Sequence, residues 1–402
     1  MIMEIGIVSV FPAEGQKHVS SGGIEGYTNN MVQELSKLST VTIFAEKKDS
    51  LKSNYEESAI HVIRCWEKGI LYPFQIWLSS LSYKTDIFHI HHEYYLYGGI
   101  LSAMMFPLLV LLLRSRAPVV ITFHGVLSYK FLDELELYEL PFLKRLIMAV
   151  LKVNLRQISY LSNKIIVHSD YLKEVIEKEY GVKTSKILVL RHGIELNTTI
   201  DSGEAKKILN ISANKVILFF GYLSKRKGLE QLIEAFVKVK NDLPNTLLII
   251  GAGNNPRLSN KVEYAKYYNY IQTKAKEVDI IRFIGFIPET KLKMYISAAD
   301  VIVFPYSIPI SASGPLSISL GFNKLVLCSD IPTFKEIIKT DELLFSAGSS
   351  EDLYRKLKYI LSLSVDKNSS LLKLIEEIKN DHSWYKISLQ TLETYTRLLE
   401  KK

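Results

Sequence analysis

The sequence predicts an α/β protein built from two doubly wound parallel-sheet domains, and three observations carry that prediction. Strand-like apolar runs alternate with helical periodicity along the whole 402 residues, the pattern of parallel sheets covered on both faces. A polar stretch, Asn197–Ala213, reads as a linker between the halves. Beyond it Val216–Phe236, VILFFGYLSKRKGLEQLIEAF, starts the same plan again. A chain of this length exceeds one ordinary core, so two domains are expected.

In the first half, strands are predicted at Glu4–Phe11, Val41–Ala45, Ala59–Cys65, Asp86–His91, Val119–His124, Lys164–Ser169 and Ile187–Leu190. The loop Ser20–Gly26 leads into a helix over Tyr27–Leu38, an apolar helix follows Asp86–His91, and a third helix covers Tyr171–Tyr180. In the second half, strands are predicted at Val216–Phe220, Thr246–Ile250, Ile280–Ile284, Val301–Pro305 and Leu325–Cys328. Helices are predicted around Leu229–Phe236, Tyr264–Tyr270, Lys291–Ala299 and Pro315–Gly321. In such sheets ligands bind at the carboxyl ends of strands.

Val216–Phe236 holds the sharpest local signal. Gly221 is expected to end the strand, Lys225, Arg226 and Lys227 form a cationic loop, and Gly228 opens a helix with Leu229, Leu232, Ile233 and Phe236 at helical spacing. Cations beside a helix N-terminus suit a diphosphate. A plain strand-loop-helix unit with a solvated basic loop fits the segment equally well.

Composition narrows the classes. The chain is 48% hydrophobic and 23% charged, with net charge +8. Its two cysteines, Cys65 and Cys328, have no CxxC or Cys/His spacing, which argues against a disulfide scaffold or structural zinc. The opening MIMEIGIVSVF reads as a strand and not a signal peptide, so an intracellular protein is expected. Nucleic acid is supported by charge alone. The run Leu101–Leu113 is shorter than the roughly 20 residues that cross a bilayer and contains Pro107, so it reads as a buried helix or a membrane-facing one. Pro141–Leu155 with Arg156 is a basic amphipathic helix. Lys144, Arg145, Lys152 and Arg156 fall on one face, with Leu143, Leu146, Ile147, Val150 and Leu151 mostly on the other. It suits either an anionic lipid surface or packing on a sheet.

Glycines close four successive strand ends, in SSGGIEG, TFHG, FFGYLSKRKG and IIGAGNN. Gly251–Gly253 supplies half a dinucleotide fingerprint, without its third glycine and with Pro256 close by, so NAD binding is not inferred. Together these loops suggest two domains facing one cleft.

On these motifs the chain resembles the retaining glycosyltransferases of family 4, which have the two-Rossmann-domain GT-B fold. GGIEGYTNNMVQEL is similar to the family's glycine loop and first helix, DIFHIHH to its "D-hydrophobic-hydrophobic-H-x-H" strand, and TFHG to its histidine loop. VHSDYLKE and LRHGIEL resemble the turns before the linker. GYLSKRKGLEQLIEAF resembles "G-R-L-x-x-x-K-G-hydrophobic-x-x-L-I-x-A-F", and IRFIGFIPETKLKMYISAADVIVFPY the strand-helix-strand after it. SDIPTFKEII resembles the segment after the nucleotide site, and SWYKISLQTLETYTRLL the helix that crosses back to the first domain. The resemblance implies an acceptor-side domain over 1–196, completed by a helix over 383–402, and a nucleotide-sugar-binding domain over 197–382.

It also implies roles. Gly22 and Gly23 would admit the donor diphosphate to backbone N–H groups. His124 would sit by the donor sugar near its anomeric centre. Lys227 would neutralise the leaving diphosphate, without an obligatory metal. Gly221, Arg226, Gly251, Gly253 and Phe286 would complete the nucleotide side, with His91 and His92 toward the acceptor. Tyr222 stands where the family commonly has Arg, and Lys225 or Arg226 would replace that cation with different reach. The family typically carries two glutamates spaced E-x7-E within the stretch matching Ser307–Ser329, which here contains no Asp or Glu. Ser311, Ser313 and the Gly314 backbone are the candidates to take over those contacts.

Other readings attach to single residues. His89 and His91 share one side of a strand, and with His92 and Glu93 could be read as a metal cluster; a strand-end role is the simpler reading. His192 fits a turn, Trp384 an anchor for the last helix, and Glu336 a cap at a helix start.

The expectation is a cytoplasmic enzyme, either free or peripheral on the inner face of the cell membrane through 141–156, that moves a hexose from a UDP- or GDP-sugar to a glycan or lipid-linked acceptor with retention. The rivals are a non-catalytic GT-B binding or partner subunit with a degraded donor site, and a sugar-nucleotide epimerase. The acid-free Ser307–Ser329 stretch argues against the epimerase, which needs acid/base carboxylates.

Overall fold

The computed structural model describes residues 2–15, 23–48, 51–128, 141–255, 258–259 and 261–400, with backbone only for 141–144. Gly22 and Pro256 lie outside the described residues, as do the side chains of Leu143 and Lys144. The chain divides into two compact units, Met1–Gly193 with Trp384–Lys402, and Ile194–Ser383.

The first unit contains strands β1 (Met3–Val8), β2 (Ser39–Glu46), β3 (Asn54–Glu57), β4 (Ile60–Trp66), β5 (Ile87–His92), β6 (Val119–Phe123), β7 (Lys164–Val167) and β8 (Ile187–Val189). Among the described residues they form one sheet in the order β3-β4-β2-β1-β5-β6-β7-β8, parallel except for the β3–β4 edge pair. Helices α1 (Gly23–Leu35), α2 (Tyr72–Ser80), α3 (Ile100–Met104), α4 (Phe106–Arg114), α5 (Pro141–Leu161) and α6 (Asp170–Lys178) connect the strands. Alternate strand residues feed two cores. Ile5, Ile7 and Val41 pack with Tyr27, Met31 and Val32 of α1, while Val8, Phe88 and Ile90 pack with Leu109 and Val110 of α4.

The second unit holds β9 (Lys215–Tyr222), β10 (Thr246–Gly253), β11 (Ile281–Phe283), β12 (Val301–Phe304), β13 (Val326–Ser329) and β14 (Leu344–Phe345). They form a parallel sheet ordered β11-β10-β9-β12-β13-β14. Its helices are α7 (Ser202–Ile208), α8 (Leu229–Asp242), α9 (Val262–Lys276), α10 (Glu289–Ala298), α11 (Gly314–Gly321), α12 (Pro332–Lys335), α13 (Ser350–Leu361) and α14 (Val365–Asp381). The last helix, α15 (Trp384–Leu399), returns to the first unit and packs on α1.

Several sequence expectations are corrected. Asn197–Ala213 is not a plain linker: α7 forms within it, with Asp201 as N-cap accepting from the Glu204 amide at 2.9 Å. Seven residues are too few for a clear period. Gly221 does not end its strand. Its φ of +129° bends the chain while β9 pairs on to Tyr222↔Gly253. The apolar run Leu101–Leu113 is two helices, with Pro107 in the first turn of α4, where its missing N–H costs least. Strand β3 was not expected because only Tyr55 of its four residues is buried.

The amphipathic helix α5 turns differently from its sequence reading. Met148, Leu155 and Ile158 face the core, with Leu151 packed against it, whereas Leu146 and Val150 are exposed. A helix of 21 residues chooses its buried stripe by what its whole length packs on, and here that is α4 and the sheet. Glu336 sits at the C-terminal end of α12, not at a helix start.

Candidate functional site

In the second unit the cationic loop folds against the segment after β12. Lys225–Lys227 forms a single 3-10 turn, and Gly228 ends it in the left-handed region at φ +65°. A Cβ on Gly228 would lie 1.9 Å from the Pro305 carbonyl oxygen, so only glycine permits this approach. The Ser307 amide donates to the Arg226 carbonyl at 2.9 Å, which fixes the two loops together.

Within that corner the Lys227 ammonium sits 5.4 Å above the Tyr306 ring. A Cβ on Gly221 would come within 2.8 Å of Lys227 Nζ and 3.3 Å of Pro315. Among the described residues no carboxylate pairs with Lys227. Burial, then the Arg226 charge beside it, push its ammonium down to about 7. The buried Tyr306 hydroxyl is 3.5 Å from Ser313 Oγ, and Ser313 caps α11 by accepting from the Leu316 amide at 3.3 Å. Ser311 Oγ is shielded from water and has no hydrogen-bond partner among the described residues. A cation and a helix N-terminus thus share one place at the carboxyl ends of β9 and β12, a suitable seat for an anion.

A second group lies one strand over. A Cβ on Gly253 would meet the Phe286 ring at 2.7 Å, and one on Gly251 would meet Ile287 at 2.4 Å. Phe286, exposed on one side, stacks on Tyr222 with ring centroids 5.8 Å apart and planes 14° from parallel. The structure thus brings Gly221, Arg226, Lys227 and Ser313 together around Tyr306, with Ser311 and Gly314 flanking Ser313 in the chain, and brings Gly253 and Phe286 to Tyr222, with Gly251 against Ile287.

In the first unit the strand-end histidines converge on one aromatic residue. Around the buried ring of Tyr27 lie His124 at 4.7 Å, Trp384 at 4.8 Å, His168 at 5.1 Å, and His91 and His192 each at 5.3 Å. Thr122 hydrogen-bonds the Tyr27 hydroxyl. His91 Nδ1 lies 3.1 Å from Ser9 Oγ and 3.0 Å from Thr28 Oγ1. His89 links Tyr395 of α15 (2.5 Å) to Thr122 (2.7 Å). His124 Nε2 is shielded from water without a partner, and its Nδ1 is 3.4 Å from His168 Nε2.

Desolvation, then neighbouring imidazoles, hold His91 and His124 well below the usual histidine range, and His168 at about 3. These rings are therefore neutral at physiological pH. His92 points to the opposite side of β5, buried against Phe106 and Phe123. It does not join His89 and His91, and among the described residues no three His, Cys, Asp or Glu side chains are arranged to hold a metal ion. Gly23 opens α1 with open space around its Cβ position.

Sequence reasoning missed Tyr27, Thr28, His168 and Tyr306 as parts of these groups. The one available signal was that each sits within a residue or two of a strand end or glycine loop.

Two family models match nearly all of the chain: "Glycosyltransferase Family 4" over residues 21–198 and "Glycosyl transferases group 1" over residues 201–381. Two uncharacterized glycosyltransferases of Methanocaldococcus jannaschii are 24% and 25% identical over 56% and 60% of this chain. Those matches span only 55% and 62% of the relatives' own lengths. Among solved structures, sucrose-phosphate synthase from Thermosynechococcus elongatus superposes with a TM-score of 0.77 at 19% identity, covering 100% of both chains. Anabaena HepE in complex with UDP-glucose gives 0.73 at 18% identity, covering 98% of this chain and 100% of that one. These likenesses establish the fold, two parallel Rossmann-like sheets of the GT-B class.

Proposed function

The chain belongs to glycosyltransferase family 4, of the group 1 glycosyl transferases, and from that premise we propose that it moves a hexose from a UDP- or GDP-sugar to an acceptor hydroxyl with retention. The observation that carries the reading is the corner where Lys227, with no carboxylate partner among the described residues, meets the start of α11. A diphosphate there would meet the Lys227 charge and the Gly314 amide at the start of α11, where Pro315 has no N–H and the Leu316 and Ser317 amides already donate to Ser313. As the sugar–phosphate bond breaks, negative charge grows on the leaving diphosphate, and Lys227 stabilises it most at that moment. Phe286 and Tyr222 offer a ring surface beside the glycines of β10 for the nucleoside.

His124 is assigned to the donor sugar. Neutral at working pH, it can accept or donate one hydrogen bond near the anomeric centre without bringing a competing charge. Gly22 and Gly23 are assigned to the diphosphate, and His91 supports His124 from behind. The domain roles follow: 1–196 with 383–402 on the acceptor side, 197–382 on the nucleotide side. The acceptor is taken as a glycan or lipid-linked sugar, and the location as the cytoplasm or the inner face of the cell membrane. Among the described residues no helix is long and apolar enough to cross a membrane.

A second reading, a nucleotide-sugar-binding subunit without turnover, is favoured by one observation: Ser307–Ser329 offers no carboxylate, and Ser313 spends its Oγ on capping α11. A thermal-shift panel of UDP, GDP, ADP and their common sugars, UDP-glucose first, with and without Mg2+, tests both. A shift with one nucleoside diphosphate that changes with its sugar supports a donor site. Release of free nucleotide with a sugar acceptor then separates transferase from binder, and no shift with any compound defeats the proposal.

A further inference from the structure

The first unit leaves large apolar side chains in solvent on one side. In α2, Tyr72, Ile76 and Ser80 are buried, while Ile70, Leu71, Phe74 and Leu78 run exposed along the opposite side. At 100° per residue Leu71, Phe74 and Leu78 share one narrow stripe. At the start of α3, Ile100 and Leu101 are 72% and 74% exposed. The two helix starts are tied together. The Gly69 amide donates to the Tyr97 carbonyl at 3.1 Å, and the Tyr72 hydroxyl donates to the Ser102 carbonyl at 3.2 Å. These ties hold two exposed apolar groups, Ile70, Leu71, Phe74 and Leu78 and then Ile100 and Leu101, at neighbouring helix starts, and groups of exposed apolar side chains mark interaction surfaces.

Charge identifies what covers it. Helices α2, α3, α4 and α5 contain no acidic residue. Arg114 closes α4, Arg116 bonds the Ser80 and Tyr83 carbonyl oxygens beyond α2, and α5 carries Arg145, Lys152 and Arg156. Leu146, Val150 and Val153 continue the exposed apolar surface along α5, which packs on α4. A second copy seated face to face would set these like charges against one another. Glu67, exposed just before Ile70, is paired with Lys47 at 3.5 Å, and apolar side chains beside these acid-free helices and their cations match anionic headgroups over acyl chains.

We infer that the outer side of α2 and α3, with the cations of α4 and α5, rests on an anionic lipid bilayer. Phe74, Leu78, Ile100 and Leu101 enter the headgroup–acyl boundary without crossing it. This inference does not rest on the transferase reading, since a non-catalytic protein would dock the same way.

Flotation of the full chain tests it, with vesicles of phosphatidylcholine alone or mixed equally with phosphatidylglycerol. The expected result is flotation with the anionic vesicles, weaker binding to neutral ones, and loss as salt rises toward about 0.5 M. Phe74→Glu with Leu101→Glu should weaken binding on the order of tenfold, and Arg145→Glu with Lys152→Glu comparably. Melting temperature and response to UDP should not move, because Phe74, Leu101 and Arg145 are exposed, Lys152 is only half-buried, and all four are far from Lys227 in the chain. Absence of flotation, or variants that float like the parent, would overturn the inference. So would a dimer seen by light scattering that Leu101→Glu dissolves, which would give the face to a second copy.

Discussion

Tyr27 presents its ring edge-on to the His124 imidazole, with centroids 4.7 Å apart and planes at 80°. The same ring touches Trp384 at the start of α15, so one buried side chain of α1 joins the histidine loop to the last helix. Replacing Tyr27 by Ala removes that hub. A loss of about 3–5 kcal/mol in unfolding free energy is expected, as for other buried aromatic truncations. Tyr27→Phe should keep most of that stability. Urea unfolding of the two variants checks this, and equal stability of Tyr27→Ala and the parent would contradict it.

His124→Ala should lower transfer by roughly a hundredfold or more, while leaving nucleotide affinity nearly unchanged. Kinetics beside calorimetric titration with UDP or GDP separate the two effects. Full activity would remove His124 from the site.

Lys227→Ala should weaken binding of the nucleoside diphosphate by roughly ten- to a hundredfold, the worth of a charge-assisted contact. The free protein holds this ammonium at about 7, so it loses its proton as pH rises through neutrality. An anion favours the charged form, so binding takes up a proton. Affinity should therefore fall as pH climbs from about 6 to about 8.5. Lys227→Arg, which stays charged, should bind with a flatter profile. A pH-independent dissociation constant in the parent would reject Lys227 as the diphosphate contact.

Four buried histidines make the first unit acid-sensitive. Desolvation holds His89, His92 and His168 at about 3 and His91 well below the ordinary value. The unfolded chain takes up protons on these residues below about 6.5 and the folded one does not. Stability should thus decline as pH falls from about 6.5 toward 4, by up to about 1.4 kcal/mol per pH unit for each histidine. Melting temperatures between pH 7.5 and 5 measure the slope, and His92→Leu should flatten it.

Gly228→Ala should cost roughly 1–3 kcal/mol in backbone strain alone, and more as the methyl meets the Pro305 carbonyl. Because Lys227 is the next residue, diphosphate affinity should fall with it. A variant of parental stability and affinity would mean the two loops separate readily.

Much of this was legible along the chain. The strand at Val216, the glycine at 228, the cations between them and the helix at Leu229 are local signals, and their order already placed Lys227 beside a helix N-terminus. The glycines of β10 were legible as half a dinucleotide fingerprint and, by resemblance, as part of the nucleotide side with Phe286, but that the Phe286 ring fills the space beside Gly253 was not. The short helix α7 was hidden despite its Asp201 cap, because seven residues show too little period to outweigh a polar composition.

The sequence by itself determined two parallel sheets, their approximate strands and the chemical types at their ends, because alternation, capping and glycine placement act over a few residues. Only the tertiary structure decided that His91, His124, His168 and His192 would meet on Tyr27, that Lys227 would lie over Tyr306, and that Leu146 and Val150 would turn outward. Those outcomes depend on contacts between residues far apart in the chain. Such contacts are chosen by which surfaces bury together once the loops have closed, and no local period records that choice.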